Sequence, residues 1–330
     1  MRILVIGGTA FAGRHIVAEA LSRGHDVTLF HRGRTGADLF PEATHLLGDR
    51  NEPADLAALA GPEPWDATID VCAYRPRQVA LLADALGDRG GQHVFISTMS
   101  VYRSPAAPGL TEDAPLVELA DPTVEEVTAA TYGGLKVLCE RLVLDRYGPG
   151  SALVRPTYIV GPHDRSGRLD HWVHRIARGG EILAPGPADG PFQLVDARDL
   201  AAFTVALAEN RTAGVYHTAG PRSAYTFGDL LSDILATVGP PGTRLTWVDR
   251  EFLLAAGEDD SSLPMWPGGD PESSINASDP SAALAAGLAP RPVRETIADV
   301  RAHGGDAPRA TPDAMTAERE AELLAAWAAR

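Results

Sequence analysis

Residues 3–13 read Ile3-Leu4-Val5-Ile6-Gly7-Gly8-Thr9-Ala10-Phe11-Ala12-Gly13: a short apolar run, a glycine-rich turn and the opening of a helix predicted over Gly13–Arg23. A strand that feeds a helix through glycines is the context a dinucleotide phosphate loop requires. Gly7 permits the tight turn, Gly13 lets helix and strand pack closely, and free N–H groups at the helix start can receive a pyrophosphate. Thr9, Ala10, Phe11 and Ala12 complete that loop. Ala10 replaces the usual middle glycine, adding a methyl group where backbone should approach phosphate.

Working outward, β-branched runs alternate with helical periodicity, the pattern of a doubly wound parallel α/β sheet of Rossmann type. Strands are expected at Ile3–Ile6, Asp26–Phe30, His45–Leu47, Ala67–Cys72, His93–Ser97 and Ala152–Val154, with helices at Pro53–Ala60, Arg77–Leu86 and Tyr132–Tyr147 between them. Residues 1–160 are thus expected to form a nucleotide-binding domain, with further core elements at about 192–220. Residues 161–330 read mainly as a smaller α+β substrate lobe, with helices near His171–Gly179, Asp199–Glu209 and Phe227–Val238 and strands near Val215–Thr218 and Arg244–Val248. Gly257–Ser274, acidic and rich in Gly and Pro, reads as a loop able to cover a site. Thr316–Arg330 reads as an amphipathic helix docked through Leu323, Leu324 and Trp327.

A formal charge of −15 disfavours nucleic acid as a general partner, because phosphate binding needs a dense basic surface. Strand-like sequence begins directly after Met1-Arg2, and no apolar run approaches the roughly 18 residues of a membrane span. A cytoplasmic protein without a membrane partner is expected. Cys72 and Cys139 lack metal or disulfide spacing and read as small buried hydrophobes.

Past the second strand, where a dinucleotide fold that prefers NAD places an acidic residue on the ribose hydroxyls, the chain reads His31-Arg32-Gly33-Arg34. Arginine can pair with a 2′-phosphate that a carboxylate would repel, so Arg32 and Arg34 favour NADP(H) over NAD(H), which stays possible. Asp49 and Arg50 follow the third strand at the sheet's carboxyl edge. Asp49 can meet the adenine, or cap the helix beginning near Pro53.

Tyr132-Gly133-Gly134-Leu135-Lys136 opens a predicted helix, and its spacing puts tyrosine and lysine on one face. An adjacent ammonium favours the phenolate, which would bring a tyrosine toward acid/base service. Ser97-Thr98-Met99-Ser100, at the end of the fifth strand, offers hydroxyls to hold a substrate oxygen.

With Val94-Phe95-Ile96-Ser97-Thr98 leading to Val101-Tyr102, with Arg155-Pro156 running to Val160-Gly161-Pro162, and with Val195-Asp196-Ala197-Arg198-Asp199-Leu200-Ala201, these motifs resemble the extended short-chain dehydrogenase/reductases, the NAD-dependent epimerase/dehydratase family. The phosphate loop and the terminal Glu320–Trp327 stretch are similar to an actinobacterial-type reductase subgroup. The resemblance implies that Tyr132 is the acid/base, that Lys136 binds the nicotinamide ribose and tunes the tyrosine, and that Thr98 orients the substrate oxygen. It implies that Cys72, Ala73, Tyr74, Ser97, Pro156, Thr157 and Ile159 line the cofactor. Nucleotide-sugar members carry an asparagine and an arginine at the positions of Tyr158 and Phe192, so a less charged substrate is expected here.

Ser100, Tyr158, His163, His171 and Phe192 are therefore the candidate substrate residues, and Tyr102 and Trp172 can line the pocket. The loose His/Asp spacings after Pro162 predict no metal site. Arg103–Thr131 can form a lid. The expected activity is NADP(H)-dependent reduction of a small-molecule carbonyl or activated double bond, in a chain that can form a homodimer. Two alternatives stay open: a sugar epimerase or dehydratase with tightly held NAD(P), and a non-catalytic RNA-binding or regulatory protein on the same scaffold.

Overall fold

The computed structural model describes residues 1–61, 63–103, 108–268, 274–276, 278–304 and 313–330. Its strands and helices begin with β1 (Arg2–Ile6), α1 (Phe11–Ser22), β2 (Asp26–His31), β3 (Thr44–Leu47), α2 (Pro53–Leu56), β4 (Ala67–Asp70), α3 (Pro76–Leu86), β5 (Gln92–Ile96), α4 (Ala129–Tyr147) and β6 (Ala152–Pro156). Then follow β7 (Tyr158–Val160), α5 (Arg168–Ala177), β8 (Glu181–Pro185), β9 (Leu194–Asp196), α6 (Ala197–Glu209), β10 (Gly214–Thr218), α7 (Phe227–Val238), β11 (Arg244–Val248), α8 (Arg250–Ala255), α9 (Ser281–Ala285), α10 (Val293–Gly304) and α11 (Ala317–Ala328).

Seven strands form one sheet in the order β3-β2-β1-β4-β5-β6-β10, and every pairing is parallel. This is the expected doubly wound Rossmann architecture. A parallel sheet is covered on both faces, so its central strands must be apolar throughout. On β1, Ile3 and Val5 join the core beneath α1 and α6, while Leu4 and Ile6 join that formed with Leu56, Leu82 and Leu86. Strand order reverses around β1, between β2 and β4, and the crevice outside the carboxyl ends there is where ligands of such sheets bind.

The second core packs α5, α7, α10, α11 and the β8–β11 pair around Trp172, Phe192, Phe227 and Trp266. Two expectations are corrected here. Within Gly257–Ser274, of which residues 269–273 lie outside the described set, Leu263, Met265 and Trp266 are buried. Trp172 Nε1 donates to the Pro264 carbonyl at 2.6 Å and Trp266 Nε1 to that of Gly186 at 2.8 Å, so this stretch is core material rather than a cover. Trp172, expected to line the substrate pocket, is 1% exposed and packed in the second core. The terminal helix docks as expected, with Leu323 buried and Leu324 and Trp327 packed on the same core. β8 and α10 had no strong sequence pattern; Val293, Ile297 and Val300 are the thin apolar stripe by which α10 docks.

Candidate active site

The turn after β1 adopts the geometry its glycines allow. Gly7 has φ +103°, and a Cβ there would stand 2.8 Å from Val71 Cγ2, so a side chain is excluded both by backbone conformation and by space. Beside it a cavity of about 380 Å³ runs from Gly7, Thr9 and Ala10 past Arg32 and Arg34 to Asp49. Neither Arg32 nor Arg34 has a hydrogen-bond partner among the described residues. Asp49 Oδ1 accepts from the Asn51 backbone at 2.9 Å and from its side chain at 2.6 Å, and these bonds, with the charges of Arg32 and Arg34, hold its carboxyl below the usual range. It does not cap α2, whose N-cap is Glu52.

Arg50 lines the same cavity, with its guanidinium held by a buried ion pair. Both of its Nη atoms donate to the Asp70 carboxylate, at 2.6 and 2.8 Å, and they also reach Cys72 Sγ and the Gln78 carbonyl. Burial opposes both charges, yet the ion pair outweighs it, raising the arginine and lowering the aspartate. The guanidinium is thus fixed in place at the wall of the groove.

At the end of β5, Thr98 accepts a hydrogen bond from the Ser100 backbone at 3.2 Å and caps a short 3₁₀ turn. α4 starts three residues earlier than the spacing predicts, because Thr128 and Thr131 form a reciprocal cap, and Tyr132 therefore sits in its first turn. A Cβ on Gly133 would lie 2.1 Å from the Ser100 carbonyl oxygen, so glycine is what lets the helix rest on this turn. The approach sets the Tyr132 hydroxyl beside that of Thr98, close enough for the threonine to favour the phenolate.

Lys136, one turn further on, is buried and donates to the carbonyls of Ala73 at 2.9 Å and Ile96 at 2.7 Å, with its Nζ 4.0 Å from the centre of the Phe95 ring. Burial pulls its ammonium down to about 8. Tyr132 is pushed above its ordinary value by burial, while the Thr98 hydroxyl and the charge of Arg168 act in the other direction. Arg168 thus adds a charge that no local motif announced.

Behind the tyrosine–lysine face, Glu140 on α4 accepts two hydrogen bonds from Arg155 on β6, at 2.9 and 2.6 Å. Arg155 also donates to the Tyr102 hydroxyl and, at 3.0 Å, to the Glu112 carbonyl. Tyr102, expected in the pocket, is instead 3% exposed inside this network. The described part of Arg103–Thr131, which omits residues 104–107, is fastened down: Val117 N donates to Val101 O at 2.8 Å and Arg75 Nε to Glu125 O at 2.6 Å.

Of the other expected cofactor residues, Cys72 and Tyr74 line the cavity, with the Tyr74 ring 6.3 Å from that of Tyr132, and Ala73 supplies the carbonyl that holds Lys136. Ser97 is buried behind Thr98. Pro156 ends β6, Ile159 packs on the first core, and Thr157 Oγ1 is committed to the carbonyls of Gln193 and Ile275.

The expected substrate residues disperse. Ser100 stays beside Thr98, their hydroxyls 3.3 Å apart. Tyr158 stacks on Phe192 at 5.7 Å, and Phe192, 1% exposed, continues into the second core through Phe227. His171 lies under the terminal helix near Met315 and Glu320, where burial lowers it to about 4, and it does not face the site. His163 points to the phosphate loop: its Nδ1 is 3.1 Å from Arg14 Nη1, in a second cavity of about 240 Å³ shared with Thr9, Ala10 and Phe11. Sequence reading passed over Arg14, Arg165 and Arg168. The last holds its guanidinium 5.0 Å from the centre of the Tyr158 ring, a position set by the fold with no local motif to announce it.

The model of the NAD dependent epimerase/dehydratase family matches residues 3–219. The chain is 27% identical over 254 residues to the chloroplast stem-loop binding protein of 41 kDa b of Arabidopsis thaliana, covering 72% of this chain and 63% of that protein. It is 27% identical over 265 residues to the 3-diazoavenalumate denitrifying reductase of a Streptomyces species, covering 74% and 84%, and 27% identical over 187 residues to the 3-beta-hydroxysteroid dehydrogenase of Mycolicibacterium neoaurum, covering 50% and 49%. Thus the match spans less than two thirds of the stem-loop binding protein and about half of the steroid dehydrogenase. Among solved structures, the Bordetella bronchiseptica enzyme WbmH in complex with NAD+ superposes with TM-score 0.68 at 18% identity, covering 92% of this chain and 98% of that one. The UDP-glucose 4-epimerase of Thermotoga maritima gives 0.67 at 16%, covering 92% and 98%.

Proposed function

We propose a reaction for this chain, which belongs to the NAD dependent epimerase/dehydratase family: NADP(H)-dependent reduction of a small-molecule carbonyl or activated carbon–carbon double bond. The observation that carries it is the Thr98–Tyr132 hydroxyl pair, set one helical turn from buried Lys136 and beside the groove that begins at Gly7. The groove suits a dinucleotide. It joins the opening of α1, where backbone N–H groups can receive a diphosphate, to Arg32 and Arg34, which have no hydrogen-bond partner among the described residues and suit a 2′-phosphate.

A nicotinamide bound there supplies the hydride. Thr98 would hold the substrate oxygen, and Tyr132, kept protonated by burial, would deliver its hydroxyl proton to that oxygen. Lys136, fixed on two carbonyls, would hold the nicotinamide ribose and return a proton to the tyrosine.

Several relatives named as dehydrogenases, a reductase and an epimerase share this scaffold, so net reduction must be separated from hydride return. Incubation with stoichiometric NADPH and a panel of aldehydes, ketones and enones makes the distinction. One NADPH consumed per product supports the reading; product formed with NADPH intact assigns the epimerase or dehydratase reaction instead. The stem-loop binding relative raises RNA as a ligand, against which the charge of −15 weighs. We place the activity in the cytoplasm, in a protein able to pair with itself.

A further inference from the structure

Two cavities meet at the phosphate loop, and the residues lining both are Thr9, Ala10, Thr35 and Arg165. The first three belong to the nucleotide-binding half. Arg165 comes from the other side of the crevice, from the segment between β7 and α5. Its side chain is exposed and has no hydrogen-bond or ion-pair partner among the described residues. In a chain of net charge −15, the two cavities are lined by Arg14, Arg32, Arg34, Arg75 and Arg165, besides Arg50 with its buried partner Asp70, but by a single carboxylate, Asp49. Five cations gathered around one carboxylate, none of them in an ion pair among the described residues, make a locally positive crevice suited to an anion.

We propose that Arg165 is a clasp from the second lobe that closes on the diphosphate of the bound dinucleotide, opposite the α1 opening. This rests on reading the groove as a dinucleotide site, and it adds a cofactor-binding residue outside the Rossmann half. The diphosphate is favoured over the 2′-phosphate by position. Arg32 and Arg34 line only the first cavity, whereas Arg165 lies where that cavity meets Thr9 and Ala10 of the loop. Its planar fork can span two phosphate oxygens, a geometry an ammonium lacks.

Equilibrium titration of NADP+, NAD+ and 2′-AMP against the wild type, Arg165→Ala and Arg165→Lys tests this. Arg165→Ala, at an exposed position, should weaken NADP+ and NAD+ by the same factor, roughly tenfold for one charge-assisted contact, and leave 2′-AMP unchanged. Arg165→Lys should recover part of the loss. Undiminished dinucleotide binding by Arg165→Ala, or a loss confined to NADP+ and 2′-AMP, overturns the clasp while leaving the groove's assignment standing. A wild type that binds none of the three ligands removes both.

Discussion

The Cα of Gly133 faces the Ser100 carbonyl so closely that a Cβ would stand 2.1 Å from its oxygen, and this approach seats Tyr132 against Thr98. Gly133→Ala should force α4 away from the 3₁₀ turn. Overpacking of this kind costs about 1–3 kcal/mol, so thermal unfolding should move down by several degrees and turnover should fall with it. An unchanged melting temperature and rate would show that the approach is slack.

The Glu140–Arg155 pair ties the back of the same helix to β6. Removing one partner of a buried pair leaves an uncompensated charge and costs about 3–5 kcal/mol. Glu140→Gln or Arg155→Met should therefore be strongly destabilised in denaturant titration, and Glu140→Leu combined with Arg155→Met should recover much of the loss. Additive losses in the double variant would contradict the pairing.

Lys136 gives a pH signature. Burial lowers its pKa to about 8 in the folded protein from an unfolded value of about 10.4. Between these values the unfolded chain binds more protons, so this group makes stability rise with pH; below about 8 its full burial penalty is present. The stability difference between the wild type and Lys136→Met, measured without cofactor, should narrow or reverse in the wild type's favour from pH 8 to 10. A difference independent of pH would mean that the lysine is not depressed.

Arg32→Ala and Arg34→Ala should each weaken NADPH about tenfold or more while leaving NADH within about twofold, because only one of the two nucleotides carries the 2′-phosphate. Parallel losses for both would shift these arginines from the 2′-phosphate to a contact common to the two nucleotides.

What could be read beforehand follows the range of the interactions. The phosphate loop and the Tyr132–Lys136 spacing are local: strand, turn and one helical face are written within a few residues. The surroundings of Arg50, His171 and Phe192 are set by residues far away in sequence, Asp70, Glu320 and Phe227, which no local pattern announces. Arg165 and Arg168 lie in a stretch of no regular period, and tertiary placement alone brings them to the cofactor groove and to Tyr158. The acidic Gly257–Ser274 stretch misled through composition, since Leu263, Met265 and Trp266 are few among polar neighbours yet buried.

Tyr132 is the proton donor of the proposed reaction. Its most direct test is Tyr132→Phe, assayed for NADPH binding by fluorescence titration and for NADPH oxidation with whichever carbonyl the wild type reduces. Binding should stay within about twofold while kcat falls by about 10²–10⁴. Turnover that survives the loss of the hydroxyl would contradict the mechanism.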